Sequence, residues 1–138
     1  MNRMRSALRG AAVGAAALGL AVLIPSAAQA ASSYSVVNTD GSRAGEAWYN
    51  RPVAGTHADL PWIDLYDAKC DGHFVYVSIT VSWSGHLDHT YGLKNDGGCG
   101  TTRGFNLNET GDSITYRACV SGGLWPDTCG PRRTESLR

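Results

Sequence analysis

The chain has 138 residues and equal numbers of acidic and basic side chains, 12 of each, which excludes the strong basic excess of a nucleic-acid-binding domain. All 12 acidic residues lie beyond Ala30, whereas Arg3, Arg5 and Arg9 precede it, so residues 31–138 carry 9 basic against 12 acidic groups, a net charge of about −3. Arg132 and Arg133 form the nearest approach to a basic cluster, and they read as a solvated terminus.

Residues 1–30 have the organisation of an export segment: three arginines, an Ala/Gly/Leu-rich run from Ala11 to Ile24, then Pro25 and the small-residue site Ala28-Gln29-Ala30. The run is short and poor in large apolar residues compared with the ~20 that a membrane span requires. Cleavage after Ala30 is expected, giving a secreted 108-residue chain. A retained amphipathic helix is the competing reading. No second apolar run follows, so no membrane span is expected in the exported chain.

Residues 31–42 are polar and expected to be loosely ordered, with Tyr34, Val36 and Val37 offering a short edge strand. The β domain is expected over residues 43–134, and residues 135–138 form a frayed tail. Arg43 to Asn50 can form a strand. The loop from Arg51 to Pro61 contains two prolines and a glycine, which interrupt regular structure. Trp62 to Asp67 alternates, with Ile63 and Leu65 on one parity and Trp62, Asp64 and Tyr66 on the other. The strongest strand is HFVYVSITVSW, residues 73–83: Val75, Val77, Ile79, Val81 and Trp83 share one parity, and hydroxyls occupy much of the other. Asp71-Gly72 lies between these two segments, and they are expected to pair as a hairpin.

Beyond Ser84-Gly85 come a weak strand from Thr90 to Lys94, the turn Asn95-Asp96-Gly97-Gly98 and a strand candidate from Thr101 to Leu107. Ser113 to Val120 alternates cleanly, placing Ile114, Tyr116, Ala118 and Val120 together, with Ser113, Thr115, Arg117 and Cys119 opposite. Thr128 to Thr134 supplies a last short strand. About seven short strands and frequent turns indicate an all-β, two-sheet sandwich of Ig-like or Greek-key type, with a small barrel as the alternative.

Cys70, Cys99, Cys119 and Cys129 all follow the export segment, and an even count in an oxidising compartment reads as two disulfides. Three pairings exist. The favoured one joins Cys70 to Cys99, tying the start of the strong strand to a later turn, and Cys119 to Cys129, closing a short hairpin. Each bridge is worth roughly 3 kcal/mol. A four-cysteine zinc site would need C-x-x-C spacings, which the sequence lacks.

From about Gly45 onward the chain resembles a group of small secreted actinobacterial β-sandwich proteins without an assigned activity. The stretches that carry the likeness are Asp67 to Gly72, Gly98 to Thr101, Asn106 to Glu109, Arg117 to Cys119, and Cys129. The resemblance implies the fold and the second disulfide, and it brings no catalytic residues with it.

Asp67 to Gly72 imitates the opening of a calcium loop, but Lys69 stands at its third position and Ser78 at its twelfth, where oxygen ligands belong. A looser cluster of Asp64, Asp67 and Asp71 reads better as turn-capping carboxylates than as a cation site. His86 and His89 flank Asp88, a spacing that aligns imidazoles on a helix but guarantees nothing in a polar connection. Neither a G-x-S-x-G elbow nor an H-E-x-x-H helix occurs. No metal, no cofactor and no catalytic residue is therefore expected, and the chain is read as a non-catalytic module.

The aromatics carry the remaining signal. Trp62 and Tyr66 fall opposite Ile63 and Leu65, as Phe74 and Tyr76 fall opposite the core parity of the strong strand; with Trp125 they form an expected aromatic patch on one sheet. Cross-strand pairs that only stabilise the sheet are the competing account. Two functions follow: a module acting through protein contacts, as an inhibitor or an envelope-associated partner, or a carbohydrate-binding module stacking sugars on Trp62, Tyr66, Tyr76 or Trp125. The W-R-Y triplet of small amylase inhibitors is absent.

Overall fold

A computed structural model describes residues 33–52 and 60–137. The expected export segment and its expected cleavage site, most of the loop between Arg51 and Pro61, and Arg138 lie outside the described residues. Nine strands follow one another: β1 Tyr34–Thr39, β2 Ser42–Asn50, β3 Trp62–Asp67, β4 Val75–Ser82, β5 His89–Lys94, β6 Thr102–Asn106, β7 Ser113–Val120, β8 Thr128–Cys129 and β9 Arg133–Ser136. No helix occurs among the described residues, so none is long and apolar enough to cross a membrane.

The strands form two antiparallel sheets, one ordered β1-β2-β3-β6 and the other β5-β4-β7-β8, with β9 also on β7. The chain changes sheet between β3 and β4, between β5 and β6, and again between β6 and β7, giving a sandwich with Greek-key-type crossings. Every strong alternation in the sequence maps onto this arrangement. Ala47, Ile63 and Leu65 face inward from one sheet, and Val77, Ile79, Val81, Ile114 and Ala118 from the other, all without solvent contact. The rings of Tyr49 and Tyr116 stack between the sheets with centroids 6.1 Å apart. Removing this apolar surface from water, at roughly 25 cal/mol per Å², is the main favourable contribution to folding.

Four expectations change. First, β3 and β4 do not pair: β3 lies between β2 and β6, and β4 between β5 and β7. Alternation shows that each strand buries one face, and a sandwich satisfies both by setting them in opposed sheets; residues 68–74 are long enough to cross the ~10 Å between layers. The sheets approach so closely here that a Cβ on Gly45 would lie 2.5 Å from Val75 Cγ1.

Second, residues 34–39 are not loose. Asp40 and Gly41, with φ of 51° and 71°, make a two-residue turn that folds β1 back on β2. Ser35 and Val37 are buried. Third, the end of the chain is ordered through Ser136, since β9 runs beside β7 with Thr134 opposite Thr115. Fourth, Trp83 lies past the end of β4 and is half-buried against the core, its indole N–H donating to the Thr110 carbonyl.

Both disulfides join the favoured partners, Cys70 to Cys99 and Cys119 to Cys129. Cys119 belongs to the outer parity of β7, yet it is fully buried because Cys129, directly across from it on β8, covers it. Both bridges sit at the same end of the sandwich, where the 68–74, 95–101 and 121–127 loops gather.

Candidate functional site

The five expected patch residues separate into two groups. Trp62 and Tyr66 project from the outer face of the β1-β2-β3-β6 sheet; Phe74, Tyr76 and Trp125 lie with the other sheet. The separation follows from the failed β3–β4 hairpin, because two strands in opposed sheets turn their non-core faces in opposite directions.

On the first face, register brings further residues to Trp62 and Tyr66. Tyr34, Trp48, Asp64 and Gly104 form one row across β1, β2, β3 and β6; Asn50, Trp62 and Asn106 form the row on one side, and Glu46, Tyr66 and Thr102 the row on the other. Trp48 and Tyr66 approach to 6.4 Å between ring centroids. Arg43 lies 5.7 Å from the Tyr66 ring centre and is paired with Glu46 at 2.8 Å. Tyr34 is exposed, and Trp48, Trp62 and Tyr66 are each partly open to solvent.

Asp64 is the polar centre of this face. Its Oδ2 accepts hydrogen bonds from Trp62 Nε1 at 3.2 Å and Asn50 Nδ2 at 3.0 Å, which fixes both the carboxylate and the indole. Its Oδ1 faces the gap above Gly104, where a Cβ would come within 3.2 Å. A residue without a side chain thus leaves one carboxylate oxygen open beside the tryptophans. Trp48 and Tyr34 were missing from the expected patch. Trp48 was detectable, since Tyr49 is the core residue of that pair and strand alternation turns its neighbour outward.

The second group sits by the 121–127 loop. Tyr76 donates its hydroxyl proton to Asp127 Oδ2 at 2.6 Å, and Asp127 Oδ1 accepts from the Gly122 amide at 3.0 Å. Burial, reinforced by Asp127, pushes the Tyr76 phenol up to about 12, while the bond from Tyr76 holds the Asp127 carboxyl below the usual range. Phe74 lies 6.1 Å from the Tyr76 ring and carries the Lys94 ammonium 4.0 Å above its own. Leu124 is fully exposed at the loop apex and Trp125 is 80% exposed. Trp125 also borders a cleft of about 430 Å³ that includes Asp40, Asp71 and His73.

The three aspartates weighed as a cation site do not converge. Asp64 faces outward, Asp67 is 2% exposed on the inner parity of β3, and Asp71 caps its own turn by accepting from the His73 amide at 3.0 Å. Burial raises the Asp67 carboxyl above its ordinary value, the Lys69 amide opposing and Asp71 adding to the shift. His86 belongs to the turn after Trp83, whereas His89 opens β5 and packs 5.5 Å from the Tyr91 ring. Among the described residues no group of three His, Cys, Asp or Glu side chains is placed to hold a metal ion.

No family model matches the chain, and neither a curated protein nor a solved structure matches it.

Proposed function

We propose that the chain is an exported, non-catalytic module that binds carbohydrate on the outer face of the β1-β2-β3-β6 sheet. The arrangement of Trp48, Trp62 and Tyr66 around Asp64 carries this reading. A pyranose presents a face of C–H groups that packs on an indole or phenol ring, and hydroxyls around its edge that need donors and acceptors beside that ring. Here the rings stand on rigid strands, Asp64 Oδ1 is an open acceptor next to them, and Asn106 supplies an exposed amide in the adjoining row. The two disulfides suit an oxidising compartment, and the segment before Ala30 would provide the route there.

Retention on insoluble polysaccharides of different backbone chemistry tests the reading. Trp48→Ala and Trp62→Ala should each lower affinity about tenfold, or ~1.4 kcal/mol, while Trp125→Ala leaves it unchanged. Failure of the unaltered protein to be retained on any glycan would overturn the proposal.

One observation favours a second reading, action through protein contacts. Leu124 and Trp125 stand out from a loop closed by Cys119–Cys129 and braced by Asp127, so an apolar anchor is held in place before binding. An extracellular protein with an apolar pocket, such as the target of an inhibitor, would engage it. A partner recovered by the unaltered protein and lost with Leu124→Ala/Trp125→Ala would support this alternative.

A further inference from the structure

The outer face of the five-stranded sheet differs in chemistry from the aromatic face. Thr90, Thr80, Thr115 and Thr134 form a single row across β5, β4, β7 and β9. Oγ1 of Thr80 is 2.9 Å from Oγ1 of Thr90, and the same distance separates Thr115 from Thr134. The adjoining rows place Ser78 opposite Arg117 on one side, and Ser82 and Ser113 opposite each other, with Ser136 beyond, on the other. A depression of about 180 Å³ opens here, lined by Ser78, Thr80, Thr90, Thr115, Arg117 and Arg132.

The charges of this depression are unmatched. Among the described residues neither Arg117 nor Arg132 makes an ion pair or a side-chain hydrogen bond. The outward strand positions around them carry hydroxyls, Gly92 and Lys94 but no carboxylate. Glu135 is on the other parity of β9 and pairs with Arg51 at 2.7 Å, and Asp127 is engaged by Tyr76 at the loop end. Arg117 is also partly buried in the middle of the sheet, and it lines the depression together with Ser78, Thr80, Thr90 and Thr115.

We infer that this depression binds an oxyanion of the phosphate- or sulfate-ester class. A guanidinium donates two parallel hydrogen bonds to such a group, and two guanidiniums neutralise its charge. In each threonine pair one hydroxyl proton is used within the pair and the other remains to donate outward; Ser78 adds a third hydroxyl. Two guanidinium forks and three hydroxyls exceed the roughly four lone-pair sites of a carboxylate and suit a tetrahedral group with three free oxygens. The volume holds one such group with a short piece of its carrier. The site is independent of the carbohydrate face, which lies on the opposed sheet, so either can fail without the other.

The test is an NMR titration of the disulfide-intact protein with inorganic sulfate and with inorganic phosphate, at constant ionic strength set with sodium chloride. Saturable shifts confined to the amides around Ser78, Thr80, Thr115 and Arg117 are expected, and the anion that produces them identifies the ester. Arg117→Gln and Arg132→Gln should each weaken binding at least tenfold. Arg117→Lys, which keeps the charge without the fork, should fall between, and Trp62→Ala should change nothing. Retention on dextran sulfate or polyphosphate should exceed that on polygalacturonate, with none on neutral dextran. Shifts that do not saturate with either anion, binding that survives in Arg117→Gln/Arg132→Gln, or equal retention on polygalacturonate would overturn the assignment.

Discussion

The hydroxyl of Ser35 accepts a hydrogen bond from the amide of Ala118 at 3.0 Å and passes its own proton to the Pro131 carbonyl at 2.7 Å. One buried side chain thereby joins β1 of one sheet to β7 of the other and to the segment between β8 and β9. Ser35→Ala would leave the buried Ala118 amide unpaired, at about 1–3 kcal/mol, while the carbonyl of Pro131, an exposed residue, can turn to water. Urea unfolding should show a loss of roughly 1–3 kcal/mol with little change in slope. A loss below about 0.5 kcal/mol, typical of a surface substitution, would mean that β1 is held mainly by its own hairpin.

Gly45 meets the opposite sheet without a side chain. Alanine there would place its Cβ 2.5 Å from one methyl of Val75 and 2.8 Å from the other, inside the contact distance of real atoms. Gly45→Ala should cost about 1–3 kcal/mol through overpacking. Val75→Ala in the same chain should recover part of that loss, and a calorimetric double-mutant cycle measures the coupling.

Gly104 should separate binding from stability. Its threonine variant would fill the gap over Asp64 Oδ1 while suiting a strand better than glycine does. Glycan retention should fall severalfold as the melting temperature holds or rises. Unchanged retention would remove Asp64 from the proposed contact.

The Tyr76–Asp127 bond makes the 121–127 loop sensitive to alkali. The phenol is raised to about 12 from its ordinary 10, so the folded protein keeps this proton where the unfolded chain has lost it. The associated stability is fully present below pH 10 and declines as the pH climbs toward 12. Asp127, held low, acts in the opposite sense: its contribution is present above the ordinary carboxylate value and disappears as acid protonates it in the folded state. Proteolytic cutting near Leu124 should therefore accelerate between pH 10 and 12, and Tyr76→Phe should be cut readily at every pH.

Local pattern carried much of this architecture. Trp62–Asp67 and Ser113–Val120 are strands with the bounds their alternation indicates, and the outward parity of Trp62, Tyr66 and Arg117 follows directly. Alternation reports which face of a strand is buried but not which sheet holds it. That is why parity alone groups Trp62 and Tyr66 with Phe74 and Tyr76, although a sandwich lies between them. The threonine row was beyond reach for a related reason: Thr90, Thr80, Thr115 and Thr134 come from four strands, and their alignment is a property of register. Ser35 and Asp40-Gly41 look like loop residues because short polar side chains serve turns and buried cross-links equally well.

Both cystines brace one pole of the sandwich, and the opposite pole, containing the 83–88 and 107–112 connections, has none. Opening fluctuations are therefore cheapest at the uncrosslinked pole, where the chain is held by contacts such as Ser84 with Asp112 rather than by covalent bonds. Amide protons there will exchange first, and reduction of the cystines would even out the difference. The molecule is in this sense hinged on its own staples: the pole that presents Leu124 and Trp125 keeps its shape while the far pole breathes.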